Sequence, residues 1–252
     1  MTSKSDIPTP PPWFRPGCLP RKSKPGEVCP FLKDRIKVIP EEEWPALIGK
    51  ISLRVHVNAV LDQNGIGSCA AEASTQGGLH IPRDQAGLGF ILLNPLFPYH
   101  HTCYGRDNGS AIDDNLRFIR GDHPDFPGKG GVAPESVWPR SRGWRAKPSG
   151  EAYAEAWRYR ADEFFDITGK AEFGTALLCG FAVVFGYPGH AIAAVALKDR
   201  NTIIYANSWG AGWNNGGYGE IGFRSIEWDY GAFAIRSSIV PSDHGVIPPP
   251  RT

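Results

Sequence analysis

Nothing in the 252 residues approaches the ~20 consecutive apolar positions of a membrane-spanning helix, so no membrane partner is expected. An excess of one charge is missing too: 27 Lys and Arg against 26 Asp and Glu leave a formal +1, too little to draw nucleic acid. Cysteine is sparse. Cys18, Cys29, Cys69, Cys103 and Cys179 make an odd count at irregular spacing, which argues against a disulfide framework and favours reduced thiols, a Cys18/Cys29 pair included. There is no Cys-x-x-Cys and no His/Cys cluster with the spacing of a zinc site, so no metal is expected. The opening residues, "MTSKSDIPTPPPWFRPG", lack the apolar core of a signal peptide. The expectation is a cytoplasmic protein, with virion association or export without such a signal as the alternatives. Internal repeats are absent.

What is present suits a globular chain: 41% hydrophobic and 21% charged residues, at a length that buries a substantial core. Residues 1–45 are punctuated by proline ("PTPPPW", "RPGCLP", "KSKPGEVCP") and read as an extended arm, on the surface or partly disordered. A single domain follows over 46–240, helical over about 60–165 and β-rich over about 166–240, and residues 241–252 read as a disordered tail. "ISLRVHVNAVL" alternates like a strand and leads to Gln63. "SCAAEASTQ" favours a helix with Ser68 as N-cap and Glu72 in its first turn, weakened or ended by Gly77 and Gly78. "DDNLRFIRG", "PSGEAYAEAWRYRADEF" and "KAEFGTALLCG" predict further helices. From "FAVVFGY" onward the segments are short, β-rich and broken by turns, so the fold class is α+β with an antiparallel sheet.

One set of polar residues stands in unusual company. Cys69 opens a predicted helix six residues after Gln63. His190 begins the apolar strand "HAIAAVALK", and Asn207 ends the next, "NTIIYAN". A hairpin across Asp199-Arg200-Asn201 would bring His190 and Asn207 to the same end of adjacent strands. A thiol at a helix N-terminus facing that end would complete a nucleophile, a base and an orienting group. The Cys69 backbone N–H and the Gln63 amide supply two donors for an oxyanion. Small residues at Gly65, Gly67 and Ala70 leave room for the turn and for an approaching substrate.

These residues carry a family resemblance. "QNGIGSC" (63–69) resembles the nucleophile motif of papain-like cysteine peptidases, "GHA" (189–191) their histidine strand, and "NSWGAGW" followed by Gly217-Tyr218 their asparagine block. "LNPLFPYHH", "DNGSAIDDNLRFI" and "GGVAPESVWP" look like the middle segments of bacterial and phage-type members. The resemblance runs in order from about residue 50 to 240. It implies a helical left domain and an antiparallel barrel-like right domain, with a cleft between them that takes a peptide or protein substrate. It makes Cys69 the nucleophile, His190 the general acid/base, Asn207 its orienter, Gln63 the oxyanion donor and Trp209 the shield of the Asn–His hydrogen bond. Asn108, Gly109 and Ser110 stand where members pair with substrate backbone. Gly67, Ser68, Trp209 and Trp213 join them as substrate-site candidates. No cofactor is implied, and nothing bears on oligomeric state.

The chain departs from the family in four places. Ala70 stands where an aromatic is usual, and Ile66 where secreted members have a disulfide cysteine. Tyr187-Pro188-Gly189 turns almost alone where members carry a longer excursion, so the right domain is shortened. The arm lacks the helical pattern of the usual inhibitory propeptide, and its composition and position raise the expectation that residues 1–45 lie across or beside the cleft and regulate access as a short substitute. Two other functions are compatible with these features: an amidase acting on a muropeptide or one structured target, and a non-catalytic papain-like module. Elsewhere the ordinary structural reading prevails. His100-His101 is expected as a surface or loop pair, His123 as loop, and Asp113-Asp114 as the solvated face of a helix.

Overall fold

Helices dominate the first half of the chain and strands the second, as the change in character near Phe181 implies. The computed structural model describes residues 9–238; the first eight residues of the arm and the 241–252 tail lie outside the described residues. In chain order the elements are β1 (Cys18–Leu19), α1 (Trp44–Leu47), α2 (Cys69–Thr75), α3 (Ile81–Gln85), α4 (Leu96–Thr102), β2 (Ser110–Ala111), α5 (Ile112–Arg120), α6 (Gly150–Ala156) and β3 (Ala161–Asp166). Then come α7 (Lys170–Leu178), β4 (Ala182–Tyr187), β5 (His190–Leu197), β6 (Thr202–Ala206), β7 (Tyr218–Gly222) and β8 (Ala232–Ser238). Six strands form one antiparallel sheet in the order β3-β8-β4-β5-β6-β7. The class is α+β as expected, and the sheet does not close into a barrel among the described residues.

β4 and β5 are buried at every residue, which is why they read as near-continuous apolar runs rather than as alternating ones. One face of the sheet presents Val183, Phe185, Ile192 and Ala194 to a core with Phe173 of α7 and Trp44. The other presents Val184, Ala191, Phe233 and Ile235 to Cys69, Ala70 and Ala73 of α2. The period of two thus splits the core in half and seats α2 on the sheet. Gly77 makes that seat possible, since a Cβ there would come within 2.7 Å of Val184 Cγ2. Gly77 and Gly78 weaken the regular α-helix, which stops at Thr75, without ending the helical run. The chain continues through a wide π turn, Gln76–His80, into α3.

Several other expectations are corrected by tertiary contacts. The arm is not confined to the surface: Leu32 and Trp44 belong to the main core, and Arg21 binds the buried Asp166 with two nitrogens, at 2.8 and 2.6 Å. "ISLRVHVNAVL" holds a short 3-10 turn, Leu53–His56, instead of a strand, with Ile51 and Val55 exposed. The helix expected through "RADEF" stops at Ala156, and Ala161–Asp166 pairs with β8 because its aromatic side chains find an apolar sheet face. His100 and His101 lie on α4, with His101 buried and stacked on Phe118. His123 does lie in a loop, yet it is buried against Asp114. Asp113 and Asp114 are buried rather than solvated. Asp113 accepts from the Lys22 and Ser23 backbone N–H groups and from Ser23 Oγ, and Asp114 pairs with Lys22 and His123. The pair holds the arm down.

Candidate active site

Two backbone segments set the site. Leu61–Gln63 runs antiparallel beside Ser208–Gly210, with Gln63 N–H donating to Ser208 O and Gly210 N–H to Leu61 O, both at 2.9 Å. The nucleophile loop then turns sharply: Asn64 and Gly65 take positive φ, and Asn64 N–H is caught by Asp62 Oδ1. Cys69 follows as the first residue of α2, fully buried against the start of β5. Ser68 precedes the helix without capping it; its hydroxyl donates to the buried Glu72, which Arg140 neutralises at 2.9 Å. Arg140 also reaches the Asp62 carbonyl, so one guanidinium braces both ends of the loop.

The turn before His190 is as short as the sequence implies. Tyr187 and His190 pair directly, and Pro188-Gly189 closes the hairpin with Gly189 at φ 78°. His190 Nε2 lies 2.7 Å from Asn207 Oδ1, the distance of a donated ring N–H, and the same oxygen accepts from Ser208 N–H at 2.8 Å. Nδ1 is left as the ring's free nitrogen, with no hydrogen-bond partner among the described residues. Trp209 stacks on the imidazole at 4.7 Å between centroids, and Trp213 meets Trp209 edge-on. Gln63 is fully buried and held twice: Nε2 donates to Ile66 O at 2.7 Å, and Oε1 accepts from Ser208 Oγ at 2.8 Å. Its second amide hydrogen stays uncommitted. Ser208 and Arg140 escaped the sequence reading, because neither the serine of an Asn-Ser-Trp run nor a distant arginine announces its partner.

The cleft is filled by the chain itself. Phe14 packs edge-on against His190 at 5.1 Å and against Trp209 at 4.9 Å. Gly17 donates to Gly189 O and accepts from Ser110 N–H, both at 2.9 Å, and β1 then pairs in parallel with β2. Gly17 lies so close to the opposite wall that a Cβ there would overlap the Gly67 carbonyl, and a Cβ on Gly109 would overlap the Gly17 carbonyl. Gly67, Gly109 and Ser110 are thus brought together around an extended main chain. Asn108 sits at the exposed edge beside them, whereas the Ser68 side chain turns inward to Glu72. Trp213 reaches the arm as well, donating to Thr9 O at 3.3 Å.

This cover sets the electrostatics. Burial pushes the Cys69 thiol up to about 12, against backbone N–H groups of Ala191, Ala70 and Gly17 that favour the thiolate. Burial likewise pulls His190 down to about 4, with the Asn207 hydrogen bond opposing it. At neutral pH the covered site therefore holds a thiol and a neutral imidazole, not an ion pair.

Comparison with proteins of known sequence and structure bears on the fold. The chain is similar to xylellain, a cysteine protease from Xylella fastidiosa, with 21% identity, a TM-score of 0.66, and 87% of this chain and 94% of the other covered. It is also similar to a digestive procathepsin L of the Tenebrio molitor larval midgut, with 16% identity, a TM-score of 0.58, and 73% of this chain and 68% of the other covered. The chain has the fold of the papain-like cysteine proteases. In sequence it is 25% identical over 209 residues to an uncharacterised peptidase C1-like protein of Acanthamoeba polyphaga mimivirus, covering 66% of this chain. It spans 65% of that relative's length. No family profile matches the chain. Among the described residues no helix is long and apolar enough to cross a membrane.

Proposed function

We propose that the chain is a cysteine peptidase that hydrolyses peptide bonds through Cys69, His190 and Asn207, and that its own residues 13–19 cover the cleft at rest. The observation that carries this reading is the 2.7 Å His190–Asn207 hydrogen bond beneath Trp209, next to a cysteine at the head of a helix in a papain-like fold. Once the cover lifts, water returns, the desolvation that keeps both groups neutral falls, and proton transfer from Cys69 to His190 becomes favourable. The thiolate adds to the scissile carbonyl, and the Cys69 N–H with the free Gln63 amide hydrogen stabilises the oxyanion. His190 then protonates the departing amine, and a water that gives its proton to His190 releases the acyl group. The muropeptide reading has no feature of its own in the cleft, and the hold of Asn207 and Trp209 on His190 favours a catalytic over a non-catalytic module.

The test compares iodoacetamide labelling of Cys69 and hydrolysis of a denatured protein in wild type and Gly17→Ala. The substituted methyl group has to push the arm off Gly67, so Gly17→Ala should label faster at pH 6 and turn over substrate, while wild type stays slow. Adding Cys69→Ser should abolish turnover. Hydrolysis that survives Cys69→Ser, or a Gly17→Ala protein that is folded, quickly labelled and inert towards every peptide, would overturn the reading.

A further inference from the structure

Asp107 stands on the cleft wall and was not among the residues singled out by motif. Gly67, two residues before Cys69, donates its N–H to Asp107 Oδ1 at 2.9 Å, and the Tyr99 hydroxyl donates to the same oxygen at 2.7 Å. Two donors on one oxygen fix the plane of the carboxylate. The other oxygen, Oδ2, is met by Arg15 Nη1 of the arm at 3.0 Å. The two partners are unequal: the Asp107 side chain is 15% exposed and the Arg15 side chain 59%. An arginine so open to water holds such a carboxylate weakly and yields to a competing cation. When the arm leaves, a preoriented negative charge remains beside the nucleophile loop without its counter-ion.

The arm fills the cleft as an extended peptide would, with main chain at Gly17 and a charged side chain at Arg15. We propose that Asp107 determines specificity, and that the cleft takes peptides carrying an Arg or Lys side chain near the scissile bond, with Arg15 occupying that subsite at rest. This rests on the peptidase reading above and names its substrate class. A purely structural Asp107 would anchor Gly67 and Tyr99 and be indifferent to the charge of the substrate, so the deciding quantity is a ratio between two substrates in one protein.

The experiment uses the full chain carrying Gly17→Ala, which lifts the arm, together with Arg15→Ala, which frees Oδ2. Peptides with a single Arg walked through an otherwise neutral sequence are each matched by the citrulline peptide, which keeps the shape and loses the charge. At one position kcat/KM should favour Arg by about tenfold. When Asp107→Asn is added to that protein, where Oδ1 still serves Gly67 and Tyr99, the ratio should fall to near one. Equal rates for Arg and citrulline at every position, or a preference that survives Asp107→Asn, overturn the proposal while leaving the peptidase reading intact. Failure to cleave any peptide of either set, with Cys69 freely labelled by iodoacetamide, would instead remove the peptidase reading and this proposal with it.

Discussion

Asn207 does two things through one oxygen: Oδ1 accepts from His190 Nε2 and from the Ser208 backbone, so the imidazole is fixed to a side chain that its own strand end holds still. Asn207→Ala removes the acceptor without disturbing the hairpin, and His190 can then rotate or shift its proton to the other nitrogen. The expected outcome is a fall in kcat of at least about tenfold, with far-UV circular dichroism unchanged; a steady-state assay on the Gly17→Ala background checks it. At this scale the sequence was informative for Cys69, His190 and Asn207, because each sits at an element boundary with a recognisable local pattern. It was uninformative for Asp107 and Arg15, whose meaning lies in facing each other across 92 residues of chain.

Among the elements, the arm differs most from its sequence pattern. Proline punctuation suggested a loose strand of chain, yet buried polar contacts hold it: Asp113 takes the Lys22 and Ser23 amides, and Asp166 takes Arg21 and the Gly26 amide. Asp166 is wholly buried, so Asp166→Ala would leave the Arg21 guanidinium without its partner. Breaking a buried pair of this kind costs roughly 3–5 kcal/mol. The expected outcome is a denaturation midpoint shifted to lower urea together with faster iodoacetamide labelling of Cys69, because the same anchor that adds stability keeps the cover in place. A destabilised variant whose Cys69 labels no faster would separate the anchor from the cleft.

Across the whole molecule, burial of neutral histidines sets an acid limit. His80 and His101 are both pulled down to about 3 by burial, and His190 to about 4. His80 Nε2 accepts from the Leu93 backbone at 3.1 Å, which requires the unprotonated nitrogen. The unfolded chain takes up these protons near the ordinary histidine pKa of ~6.5, whereas the folded one does not until about 3 to 4, so stability falls as pH drops through that window. At pH 5 each histidine costs up to about 2 kcal/mol relative to pH 7.5. Thermal melts over pH 7.5 to 4.5 should show Tm falling below pH 6.5, and His80→Gln should flatten that slope. A flat profile would mean that these rings are not buried neutral.

By itself the sequence determined the α+β class, the apolar hairpin that carries His190 and Asn207, and the helix that opens on Cys69. Periodicity, turn residues and short motifs are local, and each of those features is local too. Only the tertiary structure decided that Gly77 seats the nucleophile helix on Val184, that Ala161–Asp166 joins the sheet, and that Phe14, Arg15 and Gly17 lie in the cleft. Those outcomes depend on which surfaces meet after the chain folds back on itself. Burial then changes what the same side chains are: a reactive pair by motif becomes a neutral thiol and imidazole under the arm, because the energy of a charge is set by everything packed around it.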